Sequence, residues 1–244
     1  MHLHLPKPVH GWRAFANEVG IIVIAILLAL GAEQLVERNH WKHEAEKGRH
    51  AIDLELSHAA GVFEERLLVQ PCLDRRLKQI DALLRDARRT GRLANIAEIG
   101  RPPARPIETE AWTTAVSGGL LQHFTLTDRN TLAIIAAQVA GYEKDTIEEQ
   151  RAWATLRMIE RSPGPISDGI LTEASATVAR LQFQTWMNGL VAGQMRDQIK
   201  AIKVPVSYFS IFDREGTRTA LEKLAGERSV CQPLASGEKP ALSE

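Results

Sequence analysis

Between Val19 and Ala32 the chain reads VGIIVIAILLALGA, 14 residues without a charge in a sequence that otherwise mixes charged and apolar residues evenly. A run of that length suits a buried core helix, an export signal or the centre of a membrane span, because hydrocarbon about 30 Å thick needs roughly 20 helical residues. The flanks discriminate. Arg13 and Arg38 bracket 24 residues, about 36 Å of helix. Their polar members Asn17, Glu18, Glu33, Gln34 and Glu37 lie near the ends, where side chains reach the headgroups. Trp12 and Trp41 stand about 44 Å apart on that helix, as an aromatic belt requires. We read a short N-terminal tail over residues 1–17 and one transmembrane helix over 18–36, in contact with the lipid bilayer. The competing reading is a cleaved signal peptide, with Lys7 and Arg13 as its basic start and Ala29 and Gly31 before a cleavage site. Glu18 beside the apolar core, and a helical pattern that continues past Ala32, count against cleavage. Basic residues on the two sides do not settle orientation. Large domains translocate largely regardless of charge, so the expected arrangement is a tail inside a bacterial inner membrane with the bulk of the chain in the periplasm.

The leader PKPVHGWRAFANEVGIIVIAILLALGAEQ, followed by HWKHE, resembles the opening of a family of uncharacterised proteobacterial proteins with one N-terminal membrane span and a helical remainder. A looser similarity surrounds Trp112, Ser117, Gly118, Leu120 and Tyr142. The resemblance implies membrane anchoring and helical content, and it implies no activity.

Beyond the span the periodicity stays helical. Ile52, Leu56, Ala59, Phe63 and Leu67 recur at steps of three and four, and Pro71 is expected to end that helix. A second helix, Cys72 to about Thr90, carries Leu73, Leu77, Ile80, Leu84 and Ala87 and closes at Gly91. GRPPARP makes residues 91–107 a loop, its Pro-rich part near 100–107 reading as a hinge or surface tether. A short helix follows from Glu110 to about Ser117. The next, capped by Thr127, has Ile135, Val139, Tyr142, Thr146, Trp153 and Leu156 as its seam. SPGPISDG breaks it. The last long helix runs from about Ile170 to Lys203, with Leu171, Ala174, Val178 and Leu181, then Phe183, Met187, Leu190, Gln194 and Ile202, as its core stripe. PVSYFSIF is expected to be extended packing, and a short helix over Asp213 to Ala225 to precede a flexible C-terminal tail at 229–244. The fold class is therefore all-α: an N-terminal transmembrane helix continuing into an antiparallel helical bundle over 37–228.

Candidate chemistry is sparse. His43, Glu46 and His50 share a helical face at the spacing of a metal site, although exposed polar residues just outside a membrane look the same. Glu37 with His40 and Glu55 with His58 repeat a Glu-x-x-His pattern, but lie about 27 Å apart on one helix. Cys72 and Cys231, the two cysteines of the chain, would form a disulfide if exported and stay reduced if not. Arg75 to Arg105 holds nine basic residues against Asp81, Asp86 and Glu98, reading either as a solvated helix face or as a surface for lipid phosphates. With 30 Lys and Arg against 30 Asp and Glu, and neither a reader motif nor interleaved aromatics, nucleic acid is not expected as a partner. Ala25, Ala29 and Ala32 offer a small-residue face for pairing of spans. Trp112, Trp153 and Trp186 are expected in the core. Phosphate-loop, dinucleotide, serine-elbow and zinc-protease motifs are absent, and no cofactor is expected. The leading expectation is a non-enzymatic envelope interaction or scaffold module, with a homodimer or an envelope protein as partner. The alternatives are a periplasmic small-ligand or metal-sensing domain and an unmotified hydrolase.

Overall fold

The computed structural model describes residues 11–161, 163–208 and 216–234. One helix dominates it. Helix α1, Trp12–Thr90, runs 79 residues from the apolar stretch into the core without interruption, so the break expected at Pro71 does not occur. Pro71 faces solvent while its neighbours Cys72 and Leu73 are buried. A proline inside a helix removes one backbone bond and crowds the carbonyl four residues back. Here packing on both sides of the proline outweighs that local cost. The helix ends where expected: Gly91 is left-handed (φ 71°), and its N–H returns to the Ala87 carbonyl.

The other long helices are α3, Leu126–Leu156, and α4, Asp168–Ala201, with short helices α2, Glu110–Ser117, and α5, Arg218–Glu227. A two-residue antiparallel bridge pairs β1, Arg92–Leu93, with β2, Gly164–Pro165, and ties the end of α1 to the break before α4. Side-chain clusters fix the directions. Ile52 to Phe63 of α1 pack with Leu132 to Tyr142 of α3 and with Ala192 to Ile199 of α4. Val69 to Ala87 pack with Ala152 to Leu156 and with Leu171 to Leu181. Helices α1 and α3 are therefore parallel, and α4 runs antiparallel to both.

Parallel neighbours need a long return, and residues 94–109 provide it as an extended strap laid back along α1. The strap is part of the core. Ile99, Pro102, Pro103 and Ile107 are buried. At Gly100 (φ 77°) an added Cβ would lie 2.4 Å from the Val230 nitrogen, so glycine is required twice over, by its left-handed backbone and by the approach of the C-terminal segment. Arg76 is the clasp. Its guanidinium donates to the carbonyls of Glu98 and Ile99 on the strap at 2.8 and 2.5 Å, and to those of Ser229 and Gln232.

Three further expectations are corrected. The N-cap of α3 is Thr125, whose Oγ1 accepts from the Asp128 amide at 3.0 Å, and not Thr127. Residues 229–234 of the expected flexible tail are packed, with Val230, Cys231 and Leu234 buried; residues 235–244 lie outside the described residues. The first described turn of the last helix is at Arg218, residues 213–215 of the expected helix also lying outside.

Candidate functional site

Helix α1 is long and apolar enough to cross a membrane, and its most apolar 18-residue window is wholly unburied by the rest of the chain. Ile21, Ile24, Leu27 and Leu28 are each more than half exposed. The bundle begins a short way past this stretch. At Trp41 the indole stacks on the His123 imidazole, ring centroids 4.4 Å apart and planes at 9°. His123 belongs to a 3-10 turn, Leu120–His123, that joins α2 to α3. Arg49 then reaches across to Asp128 at 3.0 Å while holding Asp53 at 2.8 Å on its own helix. Between Gln34 and Asp53 of α1, and residues 122–128 opposite, lies a cleft of about 1350 Å³ lined by both signs of charge.

His43, Glu46 and His50 lie on the exposed surface of α1. Among the described residues no group of three His, Cys, Asp or Glu side chains is arranged to hold a metal ion. Glu55 serves the fold, its carboxylate accepting from the Ala111 and Trp112 amides at 2.6 and 3.4 Å and so satisfying the free N–H groups at the start of α2. Cys72 and Cys231 form a disulfide across 159 residues, their Cα atoms 4.9 Å apart. The basic stretch is divided among several roles. Arg76 and Arg105 hold the strap, Arg85 and Arg89 pair with Asp81 and Asp86 of their own helix, and Arg101 and Arg92 are exposed.

The interior ionic groups are not foreseen by the sequence pattern. Arg66 and Glu149, both about 1% exposed or less, pair at 2.7 and 2.9 Å. Glu149 also accepts from Thr185 Oγ1 at 2.6 Å and from Asn188 Nδ2 at 2.9 Å, and Arg66 donates to the Thr185 carbonyl at 3.0 Å. All three long helices thus meet at one carboxylate. A second buried carboxylate, Glu65, receives Arg105 from the strap and Arg228 from the C-terminal segment. The only hint in the sequence is the polar pair Thr185 and Asn188 within the apolar pattern of α4.

That network decides which face of α4 is inside. Thr185, Asn188 and Gly189 are buried, whereas Phe183, Trp186 and Leu190 are 61%, 55% and 44% exposed. Of the expected stripe Phe183, Met187, Leu190, Gln194 and Ile202, Phe183, Leu190 and Gln194 are therefore on the outside while Met187 and Ile202 are half-buried, and Trp186 is not a core aromatic. Trp153 is fully buried and Trp112 partly so. On the far side of the bundle the strap and α3 leave a second groove of about 650 Å³ between Arg101–Ile107 and Tyr142–Arg157. Tyr142 closes its inner end. Its ring meets Phe63 edge-on at 5.0 Å, and burial pushes its phenol above the ordinary range.

No known protein family, no curated protein and no solved structure matches the chain.

Proposed function

We propose that this chain is a single-span anchor that holds a helical interaction module in the bacterial periplasm and works by contact with a second copy of itself. The observation that carries the reading is the unbroken helix leading from a fully exposed apolar stretch into the bundle core. The disulfide agrees with an oxidising compartment, since such bridges are rare where thiols are kept reduced. The resemblance of the leader to single-span proteobacterial proteins agrees with the anchor. Among the described residues, the buried charged groups Glu65, Arg66, Arg76 and Glu149 each hold helices, strap or C-terminal segment together, which favours contact over catalysis. For a contact surface, α4 offers Ala176, Ala179, Phe183, Trp186 and Leu190, spaced alternately by three and four residues. That is the spacing of a helix-pairing seam. Copies anchored in one bilayer present this seam in the same direction, so parallel pairing is the geometry available to them.

Two measurements test the reading. A reporter active only in the periplasm, fused after Glu244, is expected to work, and activity of a cytoplasm-only reporter in its place overturns the orientation. A photo-crosslinking residue at position 186 is expected to give a covalent dimer in membranes, and the same residue at Lys144 on α3 is not. Absence of dimer at 186 overturns the pairing.

A further inference from the structure

The groove beneath the strap has two unlike ends. Strap and α3 run in opposite directions, so that Ile107 lies with Tyr142 at one end while Arg101 reaches Gln150 at the other. From Tyr142 to Ala154 the floor extends about 18 Å along α3. It is held open by small or stiff residues: Ala104 and Pro106 on one wall, Ile147 and Ala154 on the other. The strap is anchored rather than loose, Gln150 Nε2 donating to the Pro102 carbonyl at 2.9 Å and Arg105 held by buried Glu65. Its volume falls in the range that takes a small ligand.

The charged residues of the lining are unevenly placed, with Arg105 between the two ends already held by Glu65. Arg101, Arg151 and Arg157 gather beyond Gln150. Arg151 pairs with Glu148, and Arg157 with Glu98 and Glu160. Among the described residues Arg101 meets no carboxylate, its Nη1 reaching the Gln150 amide oxygen at 3.5 Å. The acid of the lining, Glu143, neighbours Tyr142 at the opposite end and disfavours an anion there. An arginine that meets no carboxylate among the described residues at the mouth, an apolar trough and an acid at the far end match a molecule with one anionic head and one apolar tail.

We propose that this groove binds a free medium-chain fatty carboxylate, its head on Arg101 beside Arg151 and Arg157 and its tail along Ile147 toward Ile107 and Tyr142. The choice of a free acid over a bilayer phospholipid rests on the span reading. Arg105 docks at Glu65, 29 residues past Val36 and about 44 Å along the helix. That lies beyond the reach of a lipid still seated in the membrane, so the occupant must have left it.

The test uses the full chain in phosphatidylcholine nanodiscs with a diazirine-bearing dodecanoate, and adducts mapped by mass spectrometry. Adducts within residues 101–107 and 143–157 are expected, with unlabelled dodecanoate competing at least tenfold better than dodecanol. Arg101→Gln is expected to weaken that competition about threefold to tenfold, the modest factor suited to an exposed charge. Ala154→Phe, at an exposed position that leaves the core intact, is expected to abolish the adducts while the Cys72–Cys231 bridge still forms. Adducts confined to residues 12–36, equal competition by dodecanol, or labelling of the groove by a diazirine phospholipid would each overturn the proposal. Failure here leaves the periplasmic reporter result untouched, and a cytoplasmic C-terminus leaves the groove to be judged by its own adducts.

Discussion

Glu149 shows how much one side chain decides in this protein. A buried carboxylate is tolerated when paired and hydrogen-bonded, and Glu149 has Arg66, Thr185 and Asn188 to hold it. Removing it strands the Arg66 charge inside the bundle. Glu149→Leu is expected to cost about 3–5 kcal/mol in denaturant unfolding. Arg66→Met with Glu149→Leu is expected to cost less than the Glu149 change alone, because no charge is then left unpaired. At the surface the α3 cap supplies a pH-dependent contribution. The Asp128 carboxyl is held below the usual carboxylate range by the hydroxyl of Thr125 and by Arg49 beside it. Its stabilising effect is complete above its unfolded value of about 3.9 and is lost as the pH falls through its lower folded value. Asp128→Asn is therefore expected to lower the unfolding midpoint at pH 7 and to leave a smaller difference from the unaltered chain below about pH 3. Thr125→Ala, which loses the cap itself, is expected to cost about 1 kcal/mol in the same assay.

At the level of elements, the sequence is most readable where local chemistry and packing agree. The closure of α1 at Gly91, the extent of α2 and the seam of α3 follow directly from glycine, helical periodicity and apolar spacing. It misleads where distant residues overrule local preference. Pro71 reads as a stop, yet Val69 before it and Leu73 and Leu77 after it are buried in one and the same core cluster. Pro71→Ala, which restores a backbone N–H and relieves the ring, is expected to raise stability by about 1–3 kcal/mol in thermal or denaturant unfolding. Helix α4 misleads for the opposite reason. Apolar residues occupy both of its faces, and the choice between them is made by Glu149, 36 residues before Thr185, which no periodicity can reveal. The candidate groove is equally illegible. Its walls are a proline strap and a helix face that become neighbours only because α1 and α3 run parallel.

Over the whole molecule, the C-terminal segment is what closes the fold. It carries Cys231 to α1, Arg228 to Glu65, and the Ser229 and Gln232 carbonyls to Arg76. Reduction or a Cys72→Ser change is expected to cost about 2–5 kcal/mol. It is also expected to loosen residues 218–234 first, which proteolysis followed by mass spectrometry can read, with gel mobility under non-reducing conditions reporting the bridge itself. The long helix has a mechanical consequence as well. Since α1 passes from the apolar stretch to the bundle with no joint, the azimuth of the bundle is locked to the rotation of the span. Each residue inserted between Val36 and Trp41 would turn the bundle by about 100° and lift it about 1.5 Å. Where the spans themselves pair through the face of Ala25, Ala29 and Ala32, which fixes their rotation, insertion of two residues there is expected to swing Trp186 away from its counterpart and abolish the position-186 dimer. Insertion of seven, about two full turns, is expected to bring it back, so that the helix acts as an indexed shaft whose setting is written in residue count.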